Sequence, residues 1–456
     1  MKDNLNEALK YTQKIRNSNS NIRDDIVSDI YKNAEEITNK CVKKDTKKIL
    51  EQQRLDDIIT SKAFGGPLMI LILAITLWLT ITGANFPSEC IAKFLFYIEG
   101  KLTLFFKYIN CPKWIHGLLI LGVYRTLAWV ISVMFPPMAI FFPIFTFLED
   151  LGYLPRVCFN MDYIFKKAHA HGKQVLTMCM GLGCNAAGII SCRIIDSPRE
   201  KLIAILTNNF IPCNGRFPTL IALSSIFVGI HFYNNSLFAS LIVTLMIIIG
   251  VILTLLTSYV LSKTLLKGFP SSFTLELPPY RKPQIGRILF TSLIDRTIFV
   301  LGRAIAVAAP AGVLIYMLTN IYIGNLNIAT HIVNFVNPFA KAIGLDGFIL
   351  IAFILGFPAN EIVIPILIML YLSTGTMMEF ENIHQLKALL LNNGWTALTF
   401  INTMLFCLLH FPCATTLWTI KKETGSIKWT ILSVLIPTIT GITICFINTK
   451  IFNILT

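Results

Sequence analysis

Four short stretches hold side chains that could do chemistry inside an otherwise apolar chain. Cys184 and Asn185 lie in Gly181-Leu-Gly-Cys184-Asn185-Ala-Ala-Gly188, and Asn360 and Glu361 in Gly356-Phe-Pro-Ala359-Asn360-Glu361. Cys213 and Cys413 each follow a proline, in Phe210-Ile-Pro212-Cys213 and Phe411-Pro412-Cys413. Thiols mixed with amide and carboxylate oxygens suit a borderline-soft divalent transition metal and suit Mg²⁺ or Ca²⁺ poorly, since those prefer all-oxygen shells. Glu361 is the one charged side chain between Phe348 and Leu372. An ionised group in such a segment costs roughly 2.5 kcal/mol or more unless it is paired or wet, so intramembrane carboxylates are functional by default.

Blander readings stand beside these. A cysteine in an apolar helix usually packs as a small hydrophobe, which is the expectation for Cys158, Cys179, Cys192, Cys407 and Cys445. Glu361 could instead pair with Arg303 or Arg216 to hold helices together, and Glu149 and Asp150 could be interfacial caps. His169 and His171 lie in a basic loop and are expected to be solvated. His410, beside the second Pro-Cys turn, is open between the two readings. No C-x-x-C zinc pattern occurs, and Cys90 with Cys111 is the one disulfide the sequence leaves open. No G-x-x-x-x-G-K-[ST] phosphate loop occurs, and no nucleophile and base stand at recognisable spacing.

The elements that must position these residues are membrane helices. Of 456 residues 54% are apolar and only 14% charged, where a soluble protein carries about 25% charged residues. Residues 1–62 hold 13 basic and 11 acidic side chains, leaving about one charged residue in ten afterwards. Leu237 to Leu261 carries no charge at all, long enough to cross a hydrocarbon core of about 30 Å. The net charge of +14 is spread over short loops, so it reads as topology and not as a nucleic-acid surface. Asp24 to Val42 has helical spacing of apolar residues and predicts a solvated helix, a linker or a docking arm. Phe64 to Ala84 predicts the first span, and Phe86 to Lys113 an external interfacial helix that does not cross. Pro136 and Pro137 predict a broken crossing between Trp114 and Leu148.

Lys and Arg in the loops 149–173, 193–201 and 262–295 place all three on the cytoplasmic side by the positive-inside rule. Gln174 to Cys192 then starts and ends on one face, which predicts a re-entrant hairpin, and parity predicts a second at Phe348 to Leu372. The two share a Gly followed four positions later by Asn, and each is followed by a Pro-Cys turn. That order predicts an inverted repeat of the kind that holds a substrate near the bilayer midplane between broken helices.

At these residues the chain resembles the membrane part of ferrous iron transport protein B (FeoB), with its two Gate segments. The matching stretches include Leu79-Thr-Ile-Thr-Gly-Ala-Asn-Phe-Pro-Ser88, Leu148-Glu-Asp-Leu-Gly-Tyr153, Gly181 to Gly188, Phe210 to Arg216, Glu276-Leu-Pro-Pro-Tyr-Arg281, Gly356 to Pro365 and Phe411 to Cys413. The resemblance implies an all-α polytopic protein of the cytoplasmic membrane with about seven crossings, two Gate-type repeats in inverted arrangement and re-entrant hairpins. The implied organisation is a cytoplasmic helical arm or connector (1–62), a first transmembrane helix plus external interfacial helix (63–113), Gate repeat 1 (114–262), a cytoplasmic basic loop (263–297) and Gate repeat 2 (298–456). It implies Fe²⁺ as the transported substrate, contacted by Cys184, Cys213 and Cys413 with Asn185, Asn360 and Glu361 nearby. The family's GTP-binding domain is expected on a separate GTPase chain docking on residues 1–62 or lost by truncation, so GTP would act only through that partner and the chain itself is expected not to be an enzyme. A small accessory FeoA-like protein and membrane lipid are further expected partners, and a homo-oligomer is open. Two alternatives remain: a Gate-type carrier of a small organic solute such as a nucleoside, and a non-transporting scaffold.

Overall fold

The computed structural model describes residues 22–41, 46–61, 64–231, 236–267, 280–281, 283–378, 380 and 383–455. The chain divides into Met1–Ile58 and Ile59–Thr456. The first unit contains α1 (Ile22–Cys41) and all but the last residue of α2 (Thr46–Ile59). Residues 28 to 37 of α1 are exposed all round, as a solvated helix rich in charge should be.

Among its described residues the second unit is built from helices, with one hairpin of two-residue strands pairing Tyr322–Ile323 with Leu326–Asn327. It begins with α3 (Gly65–Tyr108), a single continuous helix of 44 residues. The sequence predicts two segments here, a span and a separate interfacial helix. Pro87 lies inside the helix without ending it, and Arg125 pairs with the buried Glu99 at 3.1 Å to fasten the distal half to the next helix. Cys90 lies within α3, Cys111 just beyond it, and both thiols are free, so the disulfide left open by the sequence is not formed.

Two series of elements then follow in the same order. The first comprises α4 (Lys113–Asp150), α5 (Tyr153–Lys167), a hairpin of α6 (Gln174–Gly183) and α7 (Asn185–Ser191), a broken span of α8 (Pro198–Thr207) and α9 (Phe217–His231), and α10 (Ser236–Lys263). The second comprises α11 (Ile285–Asn320), α12 (Ile328–Ala342), a hairpin of α13 (Gly347–Leu355) and α14 (Val363–Leu372), the connecting α15 (Ile383–Asn392), a broken span of α16 (Ala397–Leu409) and α17 (Ala414–Thr424), and α18 (Ile427–Leu455). The correspondence extends to detail. Both α4 and α11 contain an eight-residue π-helical stretch, Gly117–Tyr124 and Thr291–Ile298. These two helices cross where Gly122 meets Gly312, whose carbonyl would lie 3.1 Å from a Cβ on Gly122; small residues at such crossings let backbones approach. The three prolines of α4, Pro136, Pro137 and Pro143, lie inside the helix, so the break predicted there is absent.

Among the described residues seven helices are long and apolar enough to cross a membrane, and an eighth would be counted if α12 and α13, bent by 111°, were one span. On α10, Leu241, Leu245, Ile248, Ile252 and Leu256 form one exposed apolar stripe, a surface costly in water and natural against lipid. The core between the two series gathers Val130, Leu220, Ala304, Ala308, Ile349, Phe353, Ile366 and Phe400. A second cluster packs Phe141, Phe142 and Phe145 of α4 against Phe165, Met178, Leu182 and Ile211.

Candidate functional site

Each candidate residue sits at a break in helical structure, and each break has a local cause. Cys184 adopts extended geometry (φ −153°, ψ 125°) between α6 and α7. The same geometry recurs in the second hairpin, where Ala359 (φ −154°, ψ 126°) precedes the short turn Asn360–Ile362. Asn185 and Asn360 therefore stand at equivalent positions, while the thiol of Cys184 is matched by a methyl group. Pro212 and Pro412 bias the residues before them away from helix and supply no N–H. Cys213 (φ −82°, ψ 167°) and Cys413 (φ −64°, ψ 158°) accordingly start the helical segments that follow.

These breaks converge on one cavity. Its lining includes Cys184, Asn185, Cys213, Asn360, Glu361 and Cys413, together with Met134, Met138, Asn214 and Thr416, and its volume is about 30 Å³. Residues predicted from four separate stretches are thus brought together. Asn360 Nδ2 lies 3.7 Å from Cys213 Sγ. Asn360 Oδ1 lies 3.3 Å from His410 Nε2, and Cys413 Sγ lies 3.2 Å from Thr416 Oγ1. The hairpin tip is tied to the second Pro-Cys turn by the Ala414 N–H, which donates to the Phe357 carbonyl at 2.9 Å. Among the described residues no three His, Cys, Asp or Glu side chains close into a metal-binding group. The candidate donors line one common space without closing into such a group.

Arg216 is the residue whose importance the sequence understates. It is fully buried, and its Nη1 donates to the carbonyls of Asn209 (2.8 Å) and Leu408 (2.7 Å). Its Nη2 donates to Asn209 Oδ1 (3.2 Å) and to the carbonyl of His410 (3.1 Å). One guanidinium thereby satisfies backbone groups that both broken spans leave free. Asn209 extends the network, donating to the His410 carbonyl at 2.8 Å and accepting from Asn185 Nδ2 at 3.3 Å. The signal available in sequence is the pair Asn208-Asn209 in an apolar run, since buried amides imply a hydrogen-bonded network.

The alternative ion pairs of Glu361 are not formed. Arg216 is committed to carbonyls, and Arg303 donates to Thr419 Oγ1 at 2.9 Å. The Glu361 carboxylate instead rests against Gly215, where any Cβ would collide with it. His410, left open by the sequence, is buried against Phe353 and Phe406 and orients Asn360. His171, expected to be solvated, is buried. Its Nδ1 accepts the Lys173 N–H at 3.0 Å, and burial holds its pKa below the usual histidine range. His169 is half-buried and packs against the Tyr259 ring. Asp150 accepts the Gln284 N–H at 3.0 Å, a cap for a neighbouring segment. Cys158, Cys192, Cys407 and Cys445 are buried and lie outside the cavity, as packing residues should. Cys179 is half-buried and lines a separate apolar pocket.

The Gate family, described as nucleoside recognition, matches residues 131–227, and the ferrous iron transport protein B C terminus matches residues 243–295. The Fe(2+) transporter FeoB of Staphylococcus aureus (strain MSSA476) is 30% identical over 406 residues, covering 86% of this chain and 58% of the relative. The Fe(2+) transporter FeoB of Methanocaldococcus jannaschii is 29% identical over 446 residues, covering 94% of this chain and 63% of the relative. A Fe(2+) transport protein A/Fe(2+) transporter FeoB fusion protein of Porphyromonas gingivalis is 24% identical over 428 residues, covering 84% of this chain and 49% of the relative. The chain thus spans between about half and two thirds of the length of these relatives. No solved structure matches it.

Proposed function

We propose that the chain is a FeoB-like membrane-region protein and that it carries Fe²⁺ across the membrane through the cavity between its two repeats. The observation that carries this reading is the convergence of Cys184, Cys213, Cys413, Asn185, Asn360 and Glu361 on one space of about 30 Å³. One water needs about 10–15 Å³ of such space, so the cavity suits an ion stripped of most of its hydration shell. A nucleoside needs a pocket nearer the 300–1,000 Å³ of typical small-molecule sites, lined for stacking and hydrogen bonding. The thiol-lined cavity, by its size and its sulfur donors, therefore suits an ion and not a nucleoside.

In this mechanism Fe²⁺ exchanges water for cysteine sulfur and for amide and carboxylate oxygen, and the two hairpins rearrange to open the space to one face and then the other. Asn360 is held for that task by His410, and Cys213 by Asn360. Arg216 keeps both Pro-Cys turns in register while the hairpins move. Parity supports the inverted arrangement: α4, the broken α8–α9 span and α10 are three candidate crossings between the start of the first series and the start of the second. An odd number puts the second series in the membrane upside down relative to the first.

Energy coupling is assigned to a GTP-binding unit acting through residues 1–62 on the cytoplasmic side, with a small FeoA-like protein as a further partner, a pairing suggested by the fused relative. The membrane is the cytoplasmic membrane. The test is ⁵⁵Fe²⁺ uptake in cells lacking other importers, comparing the chain with variants C184S, C213S and C413S. Each substitution is expected to lower uptake by about tenfold or more at unchanged protein level. Uptake unchanged in all three would refute the thiol-lined path, and a scaffold would show no uptake with the parent chain either.

A further inference from the structure

Glu361 lines a second, larger cavity as well as the thiol-lined one. This vestibule has a volume of about 290 Å³ and is walled by Trp129 of α4, Thr219 and Ala222 of α9, Ile364 of α14 and Leu386 of α15. Three elements agree on the face it serves. α9 runs from the Cys213 break away from the end of α8 that carries Arg199 and Lys201; Trp129 lies in the half of α4 away from Asp150; and α15 follows the far end of the second hairpin. All three point away from the basic loops. Its lining side chains are apolar apart from Thr219, the indole N–H of Trp129 and the Glu361 carboxylate, and that carboxylate has no hydrogen-bond or ion-pair partner on another side chain among the described residues.

We propose that this vestibule is a receiving site for a hydrated divalent cation, and that Glu361 is where the cation exchanges water for protein before it enters the thiol-lined cavity. Size and charge both support this. At about 30 Å³ of liquid volume per water, a shell of about six waters around an octahedral cation needs roughly 180 Å³, which the vestibule of about 290 Å³ holds and the cavity of about 30 Å³ does not. An ion passing between them must shed most of its shell at their junction, and the acidic side chain that lines both is Glu361. Low-dielectric walls around one carboxylate focus its field and concentrate cations at the mouth. This inference rests on the transport reading above and assigns its outward-facing binding step.

The test uses the full chain in intact cells, with Ala222→Cys as the probe position and a membrane-impermeant trimethylammonium methanethiosulfonate as the reagent. Labelling at residue 222, read by peptide mass, is expected from the external side, and attachment of the bulky cation is expected to cut ⁵⁵Fe²⁺ uptake by about tenfold or more relative to the unlabelled variant. The parent chain treated alike should keep its uptake, because the reagent is too large for the inner cavity. Combining Ala222→Cys with Glu361→Gln should slow labelling about tenfold by removing the attracting charge. Labelling that occurs only in inverted vesicles, or that proceeds equally fast with and without Glu361→Gln, would overturn the proposal. A parent chain that takes up no iron would refute the transport reading, while the labelling rates would still decide whether the vestibule attracts cations.

Discussion

At the scale of single residues, the two hairpins differ most at one position. Cys184 and Ala359 share backbone angles to within about a degree and line the same cavity, yet one offers a soft donor and the other a methyl group. A fourth thiol would enrich the soft donor set, and soft ligands bind borderline and soft metals more tightly. Conduction, however, requires a site weak enough to release its ion. Ala359→Cys is therefore expected to tighten Zn²⁺ or Cd²⁺ binding to the purified protein about tenfold or more, measured by calorimetry, while lowering the Fe²⁺ uptake rate severalfold. Uptake that rises along with affinity would show that release does not limit transport.

The candidate ligands are legible in sequence because each breaks a local rule. A Cys-Asn pair between glycines, an acid in an uncharged apolar run and two Pro-Cys turns are all expensive in lipid unless they serve something. The role of Arg216 is not legible, because the Leu408 and His410 carbonyls it holds lie 192 and 194 positions away in sequence, and every residue has a carbonyl. His410 is hidden for a related reason: its side-chain partner Asn360 lies 50 positions upstream, in the other hairpin arm of the site. Glu361 pairs with arginines on paper only because a sequence does not say that the fold employs both elsewhere.

At the scale of elements, the repeat is visible in sequence only at its hairpins and Pro-Cys turns. The matching π-helical stretches carry no composition signal, and α3 reads as two segments since Gly83, Ala84 and Asn85 look like a stop. Helix continuity there depends on packing against α4, which a local reading does not contain. The glycines of the first hairpin have a checkable packing role. A Cβ on Gly188 would stand 2.6 Å from Asn208 Nδ2 and 2.9 Å from the Thr177 carbonyl, and the carbonyl belongs to α6, whose backbone cannot turn aside. Overpacking of this kind costs about 1–3 kcal/mol. Gly188→Ala is expected to lower the thermal unfolding midpoint in detergent by several degrees, whereas Gly286→Ala, with open space around it, should not lower it.

At the scale of the whole molecule, charge and connectivity give the same topology. Arg193, following the first hairpin, is held bidentately by Glu423 at the end of α17, at 2.9 Å and 2.6 Å, and Lys173 reaches Asp196 at 2.8 Å. The Lys173 ammonium holds the Asp196 carboxyl below the usual carboxylate range. These contacts put the first hairpin's base and the end of the second broken span on one face, the basic one. On the proposed topology, in which residues 1–62 are inside, the seven candidate crossings leave the Tyr322–Asn327 hairpin outside. The consequence is a pair of labelling results. Asn325→Cys is expected to react with an impermeant maleimide in intact cells, and Lys422→Cys only after permeabilisation. Both positions are exposed, so failure to react cannot be ascribed to burial. Reaction of both from the same side would make the number of crossings between residues 325 and 422 even, which would remove the parity on which the inverted repeat, and the alternating opening of its two hairpins, depends.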